Sequence, residues 1–265
     1  MLMCLIVFAW RPAQAIPLVV AANRDEFHER PSLPLAPWPE RPELIAGRDL
    51  QGGGTWMGAT LNGRFAALTN IRVPGQPVSP RSRGELPERF LASGLSPEAY
   101  MADLQARCAN YAGFNLLVGD SQTLWHLNSH EGIPRALEPG LYGLSNASLD
   151  TPWPKLLRAK AALANCLERP DSEALLELLA DTQKAPIDQL PNTGVTLELE
   201  TLLSSVFIAS PNYGTRASTA LVRRRDGSLE IRERAFGPDG RLGEVHFAHP
   251  MAAETPTLQN RSQLR

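Results

Sequence analysis

The chain has 265 residues, 43% of them hydrophobic, enough to build a substantial core in one large domain or two small ones. Its formal net charge of −2 gives no electrostatic reason to bind nucleic acid. Three cysteines, Cys4, Cys108 and Cys166, form no CxxC pair and no metal spacing, so neither a disulfide framework nor a metal centre is expected, and a reducing, cytoplasmic setting is.

The chain opens on two apolar runs of strand length, from Cys4 to Trp10 and from Ile16 to Ala22. Arg11-Pro12-Ala13-Gln14 separates them, the pattern of a hairpin with a longer loop. Nearly continuous apolar character implies strands covered on both faces. Antiparallel pairing should then bring Cys4 beside the ionic run Asn23-Arg24-Asp25-Glu26. No positive charge precedes the first run and Arg11 follows it, which argues against a secretory signal. No run approaches the roughly 18 apolar residues of a membrane span.

From Phe27 to Pro42 the proline-rich composition predicts a loop. Residues 44–49 read as a strand. Gly52-Gly53-Gly54 lacks the Lys-Ser/Thr of a phosphate loop and reads as a tight turn that lets backbone approach closely. Asn62-Gly63 is a hairpin turn before a strand that ends on Asn70. Helices are predicted over 85–92 and over 97–111, the second capped by Ser96 with Pro97 at its first position. A hairpin follows over 114–127, then a short strand over 141–145. A helix over 153–167 carries the stripe Leu156, Leu157, Lys160, Ala161, Leu163 and Ala164. Asp171 caps a further helix, and 201–210 runs from a helix end into a strand. A last hairpin turns on Asp226-Gly227, and 244–249 is the final strand.

Hairpins exclude a purely parallel sheet. Helical pairs set between groups of strands predict an α+β fold, an α/β/β/α four-layer sandwich of mainly antiparallel sheets. Residues 1–250 are expected to form one domain and 251–265 a polar tail.

Two readings of Cys4 stand side by side. If translation starts at Met3, methionine removal leaves Cys4 as the N-terminal residue; Met1-Leu2 would keep its methionine. A free α-amine, titrating near ~8, could then take the proton of its own thiol, and Arg24 would favour the thiolate. Otherwise Cys4 is a small core hydrophobe. Cys108 and Cys166 lie in helical patterns and are read as core. The histidines at 28, 126, 130, 246 and 249 are scattered, with no metal spacing.

Several stretches together resemble the NRDE family, which includes the eukaryotic transport and Golgi organisation proteins. They are Ala21-Ala22-Asn23-Arg24-Asp25-Glu26-Phe27, Gly53-Gly54-Thr55-Trp56-Met57-Gly58, Arg83-Gly84-Glu85-Leu86, Tyr142-Gly143-Leu144-Ser145-Asn146 and Tyr213-Gly214-Thr215-Arg216. That resemblance implies a link to haem trafficking or to lipid and acyl-coenzyme A metabolism. A more distant one is to N-terminal nucleophile hydrolases of the bile salt hydrolase and penicillin V acylase group. It implies a cysteine amidohydrolase without cofactor or metal, acting on a small acyl or amide substrate. Its residues would be Cys4 as nucleophile, Arg24 and Asp25 at the second strand's end, Asn146 and Asn70 at the oxyanion, and Arg216 as a late arginine. Here Arg24 and Asp25 are adjacent, whereas that group spaces them three apart. Adjacent strand residues face opposite ways, so only one should face Cys4. The residues also fit plainer roles: a structural ion pair for Arg24 and Asp25, turn caps for Asn70 and Asn146, a solvated hairpin residue for Arg216. The alternative to a hydrolase is a carrier that holds haem or an acylated ligand in the same cleft.

Overall fold

The computed structural model describes residues 3–73, 75, 79 and 81–250; the Met1-Leu2 start and the tail 251–265 lie outside them. In chain order the elements are β1 (Met3–Trp10), β2 (Leu18–Phe27), β3 (Ser32–Trp38), β4 (Arg41–Asp49), β5 (Met57–Thr60) and β6 (Phe65–Asn70). Then come α1 (Glu85–Ala92), α2 (Pro97–Gln105), β7 (Phe114–Gly119), β8 (Leu124–Asn128), β9 (Arg135–Ala136) and β10 (Gly140–Leu144). The chain closes with α3 (Pro154–Cys166), α4 (Ser172–Leu178), α5 (Leu197–Leu202), β11 (Tyr213–Arg223), β12 (Leu229–Gly237) and β13 (Gly240–His249).

The strands form two sheets, in the order β10-β1-β2-β11-β12-β13 and β3-β4-β5-β6-β7-β8-β9. Every described ladder is antiparallel. Strand alternation sorts the side chains into layers. Ile6, Phe8 and Trp10 of β1 meet Ile45, Met57, Phe65 and Leu117 of the other sheet. Leu5, Val7 and Ala9 turn the other way, onto Leu156, Leu163, Leu175 and Leu179 of the α3–α4 layer. On the far side α1 and α2 cover Leu44, Ala66, Leu68 and Leu116. The result is the expected α/β/β/α sandwich, and it explains why both strands of the opening hairpin are apolar throughout. Each large side chain withdrawn from water here, Phe8 for example, contributes about 1.5–3 kcal/mol. Among the described residues no helix is long and apolar enough to cross a membrane.

Several local expectations need correction. The proline-rich stretch after Phe27 is not a loop throughout but contains β3, the edge strand of its sheet. Proline is tolerated there because an edge strand has donors to spare, and the ladder is irregular on both sides of the prolines. The second helix stops at Gln105 and is followed by a tight 3-10 turn at Cys108–Asn110. Residues 203–212 are not a strand. The apolar side chains of Val206 and Ile208 are buried, but their backbone is tied by Phe207 N–H to the Asp181 carbonyl and Ile208 N–H to Thr215 Oγ1. The buried face of α3 is Lys155, Leu156, Ala159 and Leu163, and Leu157 is 53% exposed, so the helix is rotated from the expected stripe. Cys108 and Cys166 are half-buried rather than core.

The three-glycine run behaves as the sequence suggests. Gly53 and Gly54 have φ of +69° and +71°. At Gly54 a Cβ would stand 2.3 Å from the Gly84 carbonyl oxygen, which accepts the Thr55 N–H at 3.0 Å. Gly54→Ala therefore combines a left-handed backbone, about 1–2 kcal/mol, with overlap against rigid backbone. A loss of at least about 2 kcal/mol is expected in urea unfolding; a loss under about 0.5 kcal/mol would show that this contact is not fixed.

Candidate active site

Cys4 pairs with Arg24 across the β1–β2 ladder, and both point between the two sheets. Asp25 follows the opposite alternation, on the side of α3 and α4 that Asn23 also faces, where the Asn23 amide bonds the Leu179 and Val206 carbonyls. Arg24 and Asp25 thus leave their strand on opposite faces, yet both line the cleft and both act on the Cys4 thiol. A bulge in β11 sits directly opposite: Thr215 pairs with Asp25, Ala217 pairs with Arg24, and Arg216 is the extra residue. Bulges of this kind re-aim side chains.

Cys4, Arg24, Asp25, Asn70 and Arg216 all line one cleft of about 1120 Å³, while Asn146 is buried behind Cys4. Where β10 ends, the chain turns across the N-terminal end of the Cys4 strand. Ser145 Oγ donates to the Cys4 carbonyl at 2.9 Å, and Asn146 Oδ1 accepts the Cys4 backbone N–H at 3.3 Å. Asn146 Nδ2 donates to the Asn70 carbonyl at 2.8 Å, so this one side chain ties Cys4 to the end of β6 in the opposite sheet. Thr69 Oγ1 donates to the Ser145 carbonyl at 2.5 Å and receives Asn115 Nδ2 at 3.2 Å. The Asn146 side chain thus does more than cap a turn, whereas Asn70 enters these contacts through its backbone carbonyl.

The electrostatics are dominated by burial. Cys4 is 6% exposed, and burial pushes its thiol up to about 12; Asp25 and Glu26 push the same way, while Arg24 and a hydrogen bond from the Asp25 backbone pull it down. Arg24 does act in the expected direction, but burial outweighs it. Its guanidinium is also shared with Asp49 at 3.4 Å and Glu26 at 3.9 Å. Arg30 joins the same carboxylates, at 2.8 Å to Asp49 and 3.5 Å to Glu26. Arg216 is held by main chain: its Nη1 donates to the carbonyls of Phe27, His28 and Arg30 at 2.8, 2.9 and 3.1 Å, and its Nε to that of Phe236 at 3.2 Å.

Beneath Cys4, on the helical side, lies a pair the sequence did not reveal. Asp25 Oδ1 accepts from Thr215 Oγ1 at 2.7 Å, while its Oδ2 is buried without a hydrogen-bond partner. The Lys155 ammonium is likewise buried and unpartnered. Burial raises the Asp25 carboxyl well above the usual range and lowers the Lys155 amine, and each charge draws the other part of the way back. Lys155 follows Trp153-Pro154 at a helix start, where a lysine reads as solvent-facing; no sequence signal marks it. Asp49 and Arg83 were also passed over. No histidine lines the cleft among the described residues, His126 is buried against Asn115, and no metal-holding cluster of His, Cys, Asp or Glu is present among those residues.

These features define a four-layer α/β/β/α protein with a buried cysteine at the wall of a polar cleft between its sheets. Residues 3–238 match the family described as Transport and Golgi organisation 2, and the chain belongs to that family. It is 35% identical over 258 residues to the Transport and Golgi organization protein 2 homolog of Bos taurus, covering 88% of this chain and 93% of the relative. The Homo sapiens homolog is 34% identical over 257 residues, with coverage of 88% and 93%. Among solved structures, a conjugated bile acid hydrolase from Clostridium perfringens is similar with a TM-score of 0.45 and 9% identity, covering 87% of this chain and 88% of that one.

Proposed function

We propose that the chain is a cysteine hydrolase that cleaves a non-peptide C–N bond, or a related acyl bond, once Cys4 is its N-terminal residue. The observation that carries this reading is the placement of Cys4: its thiol at the cleft and its own nitrogen held at 3.3 Å by Asn146 Oδ1. With residues still attached ahead of it, that nitrogen is an amide and cannot take the proton of a thiol raised to about 12. Freed as an α-amine, the same nitrogen titrates near ~8 and can take the thiol proton.

The steps then balance. The amine accepts the thiol proton and the thiolate attacks the acyl carbon. Asn70, at the cleft wall, bonds the oxyanion, and Asn146 keeps the amine in place. The α-ammonium returns its proton to the leaving amine as the C–N bond breaks, leaving a thioester on Cys4. Water, deprotonated by the α-amine, attacks that thioester, and the carboxylic acid departs with the thiol restored. Arg24 steadies the thiolate, Asp25 and Lys155 set the charge beneath it, and Arg216 holds the wall formed by residues 27–30. The three free cysteines support a reducing, cytoplasmic setting.

The experiment combines N-terminal sequencing of protein purified from its own host with a screen of N-acyl amides and acyl thioesters. The expected result is a mature chain that begins at Cys4 and hydrolyses at least one acyl substrate. A Soret shift on titrating haem, with no acyl substrate cleaved by a chain that begins at Cys4, would favour the carrier reading instead.

A further inference from the structure

Nearly every arginine in the cleft is already matched. Arg24 and Arg30 face Asp49 and Glu26, Arg72 faces Glu200 at 2.8 Å, Arg81 faces Glu85 at 2.7 Å, and Arg48 pairs with Glu40. Arg216 is held by carbonyls. Arg83 differs. It lines the cleft, its Nη1 donates to the Gly113 carbonyl at 3.0 Å, and among the described residues no carboxylate stands within ion-pair distance of it. A guanidinium has five donors in a planar fork suited to a carboxylate, so one carbonyl leaves most of that capacity unused. Cys4, Arg30 and Glu26 line the same cleft as Arg83.

The same cleft has an apolar side. Leu33, Phe236, Leu242 and Val245 line it, and Leu33 and Leu242 are 51% and 69% exposed. Exposed leucines at the mouth of a cleft are surface that an apolar ligand would cover.

We propose that Arg83 is an anion-binding specificity residue, and that the cleft takes an amphiphile with a carboxylate a few atoms from its acyl carbon and an apolar chain along the Leu33–Leu242 wall. This deepens the hydrolase reading and rests on it for the position of the acyl carbon, but the binding itself requires no chemistry.

The test separates the two. N-octanoylglycine and its neutral isostere N-octanoylglycinamide are titrated calorimetrically into Cys4→Ser protein, with and without a change at Arg83. The acid should bind at least 30-fold tighter than the amide, about 2 kcal/mol, the range of a hydrogen bond to a charged group. Arg83→Gln should bring that ratio within threefold, and Arg83→Lys should leave an intermediate preference. Should Arg83→Gln fail to fold, Arg83→Lys alone decides, since a lysine cannot reproduce the fork and must lower the ratio. Equal binding of acid and amide, binding of neither, or a preference untouched at Arg83 overturns the inference. Arg83-dependent binding, with no cleavage of either compound by Cys4 protein that begins at Cys4, leaves it standing and removes the hydrolase reading.

Discussion

Cys4→Ser is expected to leave a folded protein whose kcat/KM on any acyl substrate is at least about a thousandfold lower, because removal of a nucleophile that acts as a unit with its base costs several orders of magnitude. Oxygen for sulfur changes little volume. The contacts that fix this residue are made by its backbone: its N–H to Asn146 and its carbonyl from Ser145. Neither depends on the side chain, so the free energy of unfolding in urea should change by less than about 1 kcal/mol. The chemistry, in contrast, depends wholly on the side chain. An α-amine near ~8 can share a proton with a thiol but is a poor base for a hydroxyl, which is far less acidic. A carrier would respond differently, since a ligand held by the walls of a 1120 Å³ cleft should notice the change by less than about tenfold, roughly 1.4 kcal/mol. The measurement is kcat/KM for the best substrate of the screen, beside the unfolding midpoint. A turnover loss under tenfold would show that Cys4 is not the nucleophile.

What the sequence made legible was whatever depends on pairing and period. The opening hairpin has two apolar runs and a short polar loop, so antiparallel alignment alone puts Cys4 beside the run from Asn23 to Glu26, and the ladder pairs it with Arg24. The four layers follow from the same hairpin, since a strand apolar on both faces needs cover on both. What stayed hidden depends on tertiary context. Pro34 and Pro37 look like loop residues until β3 is known to be an edge strand. The apolar signal at Val206 and Ile208 reads as a strand, although this backbone is tied instead by Phe207 to Asp181 and by Ile208 to Thr215. Arg216 gave no hint that four carbonyls would take its guanidinium, because those carbonyls belong to residues 27, 28, 30 and 236. Lys155 is the sharpest case. Hydrophobic periodicity assigns charged residues to the solvent face by construction, so a buried lysine is invisible to it and even shifts the inferred stripe.

Lys155→Met is expected to be about 1.4 kcal/mol less favourable at pH 8 than at pH 5. The groups acting on Lys155 are Asp25, Arg72, Cys4 and Glu200, with Asp25 the strongest of the four, and Arg72 and Glu200 already paired at 2.8 Å. Burial raises Asp25 above its unfolded value, so folding takes up a proton over the window between the ordinary carboxylate range and that raised value. Stability from this group is therefore present at low pH and lost as pH climbs through the window. Lys155 is what limits the rise, because its charge pulls Asp25 down. Without it the window extends upward. At pH 5 Asp25 holds its proton in both proteins, and only the parent must bury the charge of Lys155, so the variant loses nothing and can gain. At pH 8 the parent buries an ionised Asp25 near a Lys155 amine that is lowered to about 8 and still partly charged, whereas the variant must keep Asp25 protonated against the solvent or bury a lone carboxylate. In the parent Asp25 is pushed up to about 7, so up to pH 8 only about one pH unit separates the two proteins, and one proton carried across it supplies ~1.4 kcal/mol. Methionine matches the length of the lysine stem, which keeps the packing of α3 against β1 nearly unchanged. Urea unfolding of both proteins at the two pH values is the measurement. The same loss at pH 5 and pH 8 would mean that Lys155 and Asp25 do not act on one another.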